Sequence, residues 1–494
     1  MRVEHFLYTA QNPDKTALIV GSRRLSYREI HQMSDQVANA LIKENVQRGE
    51  RVALFMENSV ELVVSIFGIL KAGAVFLIIN PTTKSDKLEY MLNDCGAVGL
   101  ITSEKQMDVA KSIHVASLQW TRLSGWESCL NDPSPPPVGG IDLDLAMIIY
   151  TSGSTGFPKG VMMTHANIVT AATSITSYLE NTSEDIILNV LPLSFDYGLY
   201  QILMGFKIGG TVVLETSFVY PQVVVQLLIK EKVTGFPIVP TIAAILLQMQ
   251  GFSKDSFPHL RYITNTAAAL PPAHIQRLIT LFPTTRIYSM YGVTECKRVS
   301  YLSPDQLSIR PTSVGRAIPN TETYIVDTAG NKVPEGIIGE LVVRGAHIMK
   351  GYWGKPKETS QVLGPGLYPW ENVFYTGDLF KMDAEGYLYF IGRKDDIIKV
   401  RGEKVSPKEV EAVLYAMPQI AEAAVVGVPD EILGQAIKAL IVLVQGATLT
   451  EQEILLHCKA HLESVMMPKF IVFCQTLPKT TTGKINRREA SVLL

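Results

Sequence analysis

Between Ile148 and His165 the chain reads IIYTSGSTGFPKGVMMTH. The hydroxyls of Thr151, Ser152, Ser154 and Thr155 alternate with Gly153 and Gly156, and Lys159 follows shortly after. Glycines let backbone N–H groups approach an anion, hydroxyls add donors and the lysine adds charge, so this run has the chemistry of a phosphate-binding loop. It is not a Walker A loop, because Gly156 is followed by Phe157 and Lys159 by Gly160. No GxGxxG follows a strand either, which removes the dinucleotide fingerprint. Further along, Glu295 lies in YGVTE, Asp378 in YTGDL, Asp395 in GRKDD and Lys484 in PKTTTGKINR. Taken alone, Asp395 reads as an exposed aspartate in a polar turn and Lys484 as a solvated surface lysine.

Elements must position these groups. Apolar runs of strand length (RVALFM, AVFLII, AVGLIT, AMIIYT, TVVLE) alternate with helix-like segments such as SYREIHQMSDQVANALIKE and PQVVVQLLIKEKV. That alternation predicts an α/β fold with helix-covered parallel strands. The segment DLAMIIYT reads as a buried strand and HANIVTAATSITSYLE as a helix, so Thr151 to Gly160 reads as a strand-to-helix loop. The Pro- and Gly-rich NDPSPPPVGG before it reads as a surface connection. Near the end, AEAAVVGVPD, AIKALIVLV and EQEILLHCKAHL provide material for a separate small α+β domain. We expect a large N-terminal domain over 1–393 and a small mobile one over 394–494, joined by a hinge at Arg393 to Asp396.

Composition narrows the function classes. At 494 residues and 47% apolar content, at least two well-packed domains are expected. The net charge of -2, with both signs mixed along the sequence, gives no basic face for nucleic acid and no polybasic membrane arm. Five scattered cysteines without CxxC spacing form neither a disulfide framework nor a zinc site, which fits a cytoplasmic protein. The N-terminus lacks the pattern of a signal peptide. The run LVVSIFGILKAGAVFLIINP is interrupted by Lys71, two glycines and Pro81, so it reads as a buried helix, a turn and a strand rather than a membrane span.

The run YTSGSTGFPKGVMMTH resembles the phosphate-loop signature of the adenylate-forming superfamily, which includes acyl-CoA synthetases, luciferase and nonribosomal peptide synthetase adenylation domains. Other stretches resemble that family's motifs in order: LSYREI, LKAGAVFLIINP, YGVTE, GELVVRGAHIMKGYW, YTGDL, GRKDDIIKVRGEKVSPKEVE and PKTTTGKINR. The resemblance implies ATP-dependent conversion of a carboxylic acid to an acyl-adenylate, then transfer to a thiol. It places Thr151, Ser152, Gly153, Ser154 and Thr155 at the β- and γ-phosphates with Lys159 nearby. It also places Thr294 at the α-phosphate, Glu295 at Mg²⁺, Tyr291 on adenine, Asp378 at the ribose and Arg393 at the phosphates or ribose. Lys484 would bridge the attacking carboxylate and the α-phosphate, and Asp395 would be the hinge.

The same resemblance puts Asp196, Tyr197, Tyr200, Pro237, Ile263, Asn265, Met290, Arg298 and Val299 around the acid. Asp196 falls where amino-acid-activating members pair with an α-amino group, which favours an amino acid, proline-like in a compact apolar pocket. Arg298 fits that picture poorly and would suit a polar or acidic tail. The alternative is a fatty- or aryl-acid CoA ligase in which Asp196 holds a helix. With the chain ending at Leu494, soon after Lys484, the expectation is a stand-alone enzyme serving CoA or the phosphopantetheine thiol of a separate acyl or peptidyl carrier protein. A nucleotide-binding pseudoenzyme scaffold would be expected to lack Lys484, Glu295 or Asp378, and all three are present.

Overall fold

The computed structural model describes residues 1–126, 134–137, 139–151, 158–249, 256–267, 270–394, 396–400, 403–430, 433–479 and 485–493. Ser152, Gly153, Ser154, Thr155, Asp395 and Lys484 lie outside the described residues.

Two large sheets dominate the first part of the chain. One has six strands in the order Trp120–Leu123, Gly99–Thr102, Arg51–Phe55, Val75–Ile79, Leu145–Thr151 and Lys159–Thr164. The other has nine and is parallel through its centre, where Thr211–Leu214, Ile186–Asn189, Gly235–Ile238, Tyr262–Asn265 and Arg286–Tyr291 lie side by side. Val75–Ile79 and Tyr262–Asn265 are buried along their length, as expected for strands covered on both faces. Much of the cover is helix. Tyr27–Lys43 begins at a reciprocal cap between Ser26 and Glu29, and it packs against Val60–Lys71. Every residue of Val60–Lys71 except Glu61 is buried. A Cβ at Gly68 would sit 2.5 Å from Val37, so this glycine sets how closely the two helices approach. Lys71 ends the helix and pairs with the buried Asp35 at 2.8 Å. Among the described residues no helix is long and apolar enough to cross a membrane.

A third sheet joins Thr321–Val326, Gly339–Gly345, Asn372–Met382, Leu363–Pro365 and Leu388–Arg393. A fourth joins Glu403–Val405, Ile398–Val400, Gly434–Leu443, Ile420–Asp430 and Phe470–Phe473, and has a core of its own around Val410, Leu414, Val425, Ile437 and Ile454. The architecture is therefore α/β with a large N-terminal part and a small C-terminal one.

One local expectation is corrected. The segment after Thr151 does not lead directly into a helix: Lys159–Thr164 is a strand, antiparallel to Leu145–Thr151, with Thr151 opposite Lys159 and Tyr150 opposite Gly160. The helix begins only at His165, capped by Thr164, whose Oγ1 accepts from the Asn167 N–H. The apolar run GVMMT has enough β-forming residues to pair before the cap takes over.

Candidate active site

The hairpin fixes Lys159 at the start of its second strand. Backbone bonds then lace that strand to a later segment: Met162 N–H to Gly351 O, Lys350 N–H to Met162 O and Trp353 N–H to Gly160 O. The lacing brings Tyr352 under Lys159, whose Nζ lies 5.1 Å from the ring centroid. The Tyr352 hydroxyl donates to Glu295 Oε1 at 2.7 Å, and Glu295 O accepts from Met349 N–H. Burial, then the adjacent Glu295 carboxylate, holds the Tyr352 hydroxyl in its protonated form. Lys159 and Glu295 are thus joined through a tyrosine that the sequence reading left without a role, although it lies inside the quoted GYW stretch.

A second cluster forms where Arg286–Tyr291 meets the third sheet. Tyr291 donates its hydroxyl to Asp378 Oδ2 at 2.5 Å, and its ring sits edge-on to Phe380 at 4.9 Å. Asp378 and Arg393 are cross-strand partners, with Arg393 Nε 3.4 Å from Asp378 Oδ1. Asp378 is buried whereas the Arg393 side chain is half exposed, so the pair offers one anchored carboxylate and one reachable cation. Thr294 occupies the turn between the Tyr291 and Glu295 clusters.

The turn continues through Cys296, Lys297 and Arg298, and is tight. A Cβ at Gly292 would fall 2.3 Å from Lys297 O, and Val299 N–H closes back onto Tyr291 O at 3.0 Å. Lys297 adopts φ +61°, the left-handed region that a residue with a long side chain seldom occupies. The backbone thereby carries two consecutive cations, Lys297 and Arg298, into the interior, where they are 3% and 1% exposed.

They meet the helix Asp196–Lys207. Its approach is pinned by Asn58, which bonds to Leu191 O and to Leu193 N–H. A Cβ at Gly198 would lie 2.3 Å from Pro192 O, so only glycine permits the first turn to fold against that loop. Asp196, the first residue of this helix, does not present a free carboxylate: its Oδ2 is 3.2 Å from Lys297 Nζ, and both side chains are buried. The ammonium also lies over the rings of Tyr200 and Tyr197, at 4.5 and 5.5 Å. Burial lowers Lys297 to about 7, Asp196 opposing that shift and Arg298 adding to it. The sequence reading missed Lys297 because its partner lies 101 residues away in the chain. The one signal was the unusual adjacency of Lys and Arg after TEC.

Around this pair, Tyr197 reaches Thr264 through its hydroxyl, at 2.9 Å from the carbonyl oxygen. Pro237, Ile263 and Asn265 lie on neighbouring parallel strands, with Phe236 opposite Ile263 and Ile238 opposite Asn265. Met290 Sδ accepts from the Tyr178 hydroxyl at 3.0 Å, and Val299 is fully buried. The structure therefore brings Asp196, Tyr197, Tyr200 and Arg298 together with Lys297, and it joins Tyr291, Asp378 and Arg393.

A family model described as "AMP-binding enzyme" matches residues 6–353, and its companion "AMP-binding enzyme C-terminal domain" matches 409–484. The chain is 30% identical to the long-chain-fatty-acid–CoA ligase of Bacillus subtilis (strain 168), over 97% of this chain and 92% of that protein. It is also 30% identical to tyrocidine synthase 2 of Brevibacillus parabrevis over 97% of this chain, but it spans only 13% of that much longer protein. The crystal structure of ATP-bound MatB from Rhodopseudomonas palustris superposes with a TM-score of 0.92 at 28% identity, covering 99% of this chain and 98% of that one. With its fold, motif order and paired domains accounted for in this way, the chain belongs to the AMP-binding enzyme family and is an adenylate-forming enzyme, an AMP-forming acid–thiol ligase.

Proposed function

We propose that this enzyme activates a carboxylic acid that carries no α-ammonium group, and that it passes the acyl group to the pantetheine thiol of CoA or of a carrier protein. The carboxylate attacks the α-phosphorus of ATP and the α–β phosphoanhydride bond breaks, releasing pyrophosphate. The thiol then attacks the acyl carbon of the adenylate and AMP leaves. In this reading Thr151, Ser152, Gly153, Ser154, Thr155 and Lys159 hold the β- and γ-phosphates and Thr294 the α-phosphate. Asp378 takes the ribose hydroxyls, Tyr291 flanks adenine and Arg393 reaches the phosphates or ribose. Lys484 bridges the two reacting anions, and Asp395 is the pivot between 1–393 and 394–494.

Glu295 is the candidate Mg²⁺ ligand. It offers hard oxygen atoms and is oriented by Tyr352, and a single carboxylate completed by phosphate oxygens and water is a normal magnesium environment. The ion would neutralise phosphate charge there.

The observation that carries the substrate reading is the 3.2 Å contact between Asp196 and Lys297. A carboxylate already matched by a resident ammonium gains little from a second one, whose desolvation would go uncompensated. A second reading, an amino acid such as proline loaded onto a carrier protein, draws support from the similarity to tyrocidine synthase 2. Acid-dependent ATP–pyrophosphate exchange tests both, using amino acids beside their des-amino counterparts, followed by transfer to CoA or to a holo-carrier protein. Exchange with des-amino acids is expected; exchange confined to amino acids would refute this proposal in favour of the second reading.

A further inference from the structure

Arg298 is only 1% exposed, and among the described residues its Nε and Nη1 have no hydrogen-bond partner. A guanidinium cannot shed its charge, so burial without an acceptor is a costly arrangement for a native protein to keep. Among the described residues, the groups beside it include aromatic rings and a second cation. The guanidinium carbon lies 5.3 Å from the Tyr197 ring centroid, and the groups that feel its charge are Tyr178, Tyr197 and Lys297. The neighbouring carboxylate, Asp196, is committed to Lys297. With Lys297 protonated, Asp196, Lys297 and Arg298 together hold one uncompensated positive charge. A second buried donor, the hydroxyl of Tyr200, whose ring lies 4.5 Å from the Lys297 ammonium, is also without a hydrogen-bond partner among the described residues.

We propose that the acid activated here is a dicarboxylic acid, whose second carboxylate binds Arg298 while the first is adenylated. This rests on the acid-activation reading above and on the placement of Arg298 among the acid-facing positions. The second carboxylate supplies the missing negative charge and accepts the idle N–H groups, with the Tyr197 face bounding the site from one side. Tyr200 gives a further donor for an oxygen of the substrate. The Asp196–Lys297 pair then has a positioning role: it keeps the carboxylate of Asp196 from drawing Arg298 to itself.

The test is ATP–pyrophosphate exchange on the full chain with dicarboxylates of three to eight carbons and isophthalate, each beside its monomethyl ester. A site built to bond a charged group rejects the analogue lacking it by orders of magnitude. At least one diacid should therefore exceed its monoester in kcat/KM on the order of 10³-fold or more. Arg298→Met should collapse that ratio through a raised KM of the diacid, with a much smaller effect on the ester. Arg298→Lys should keep part of the preference. Folding of each variant is checked by its thermal shift with ATP, and Arg298→Gln serves if the Met variant fails. A wild-type preference for monoesters or simple monoacids overturns this inference and leaves acid activation standing. So does an equal loss of diacid and ester activity in a folded variant. Absence of exchange with any acid overturns both readings together.

Discussion

If Asp196 and Lys297 form a resident pair, removing one partner must do more damage than removing both. At 3.2 Å, and at the effective dielectric of about 20 that suits protein sites, their attraction is about 5 kcal/mol. Measured losses on breaking buried pairs are about 3–5 kcal/mol. At pH 6 Lys297→Met should therefore destabilise the protein by about that much, because Asp196 is left buried without its cation. Asp196→Asn behaves differently. Lys297 already sits at about 7 through burial, and losing Asp196 lowers it further, so the lysine can discard its proton instead of remaining as a stranded charge. The loss should thus be small at pH 8.5 and grow toward pH 6. The double variant Asp196→Asn, Lys297→Met should recover to within about 2 kcal/mol of wild type, since replacing both partners of a buried pair is often close to neutral. Urea unfolding of the four proteins at both pH values, followed by tryptophan fluorescence, gives the coupling energy. At pH 6, where Lys297 carries its proton, a coupling below about 0.5 kcal/mol would mean that the two groups act independently and that the pair does not exist in solution. An Asp196→Asn loss that ignores pH would refute the titration argument separately.

Three further outcomes are expected. Burial and the neighbouring Arg2 hold His165 at about 4, and its Nδ1 accepts the Val3 N–H, so the unfolded chain binds the extra proton between that value and 6.5. Stability should fall as pH drops through this window, by roughly 3 kcal/mol from this residue, and His165→Asn should flatten the acid limb of a melting-temperature profile. Tyr352→Phe removes a hydrogen bond to the Glu295 carboxylate, of a kind worth about 1.5–3 kcal/mol. Pyrophosphate exchange should fall on the order of ten- to a hundredfold, and an unchanged rate would take Tyr352 out of the site. Lys484→Ala should cut adenylate formation by orders of magnitude yet leave thioester formation from supplied acyl-adenylate intact, and equal loss in both steps would contradict its assigned role.

Much of the fold is legible because many of its strands are short continuous apolar runs and several of its helices carry local caps. The strands Arg51–Phe55, Val75–Ile79, Leu145–Thr151 and Thr211–Leu214 each fall on a run read from the sequence, and Tyr27–Lys43 starts at the Ser26 cap. The strand Lys159–Thr164 escaped because pairing across a hairpin is a cross-chain fact, and GVMMT gives no clear alternation to announce it. Glu295 and Asp378 could be singled out because each lies in a motif that carries its own chemistry. The site was illegible where a residue's meaning depends on a distant neighbour. The contact between Asp196 and Lys297 is such a case, because no spacing rule connects the start of a helix to the turn after Glu295.

The lacing of Gly160 and Met162 to the 350–353 segment also has a consequence for biosynthesis. Lys159–Thr164 is the outermost strand of its sheet, and the backbone that covers its free edge is made roughly 190 residues later, about 10–40 s at ordinary elongation rates. Throughout that interval a nascent chain exposes an uncapped strand edge beside an apolar sheet, an invitation to pair with another polypeptide. Slowed translation between Met162 and Gly351 should therefore lower soluble yield even though no residue is changed, and an early-binding chaperone should restore it.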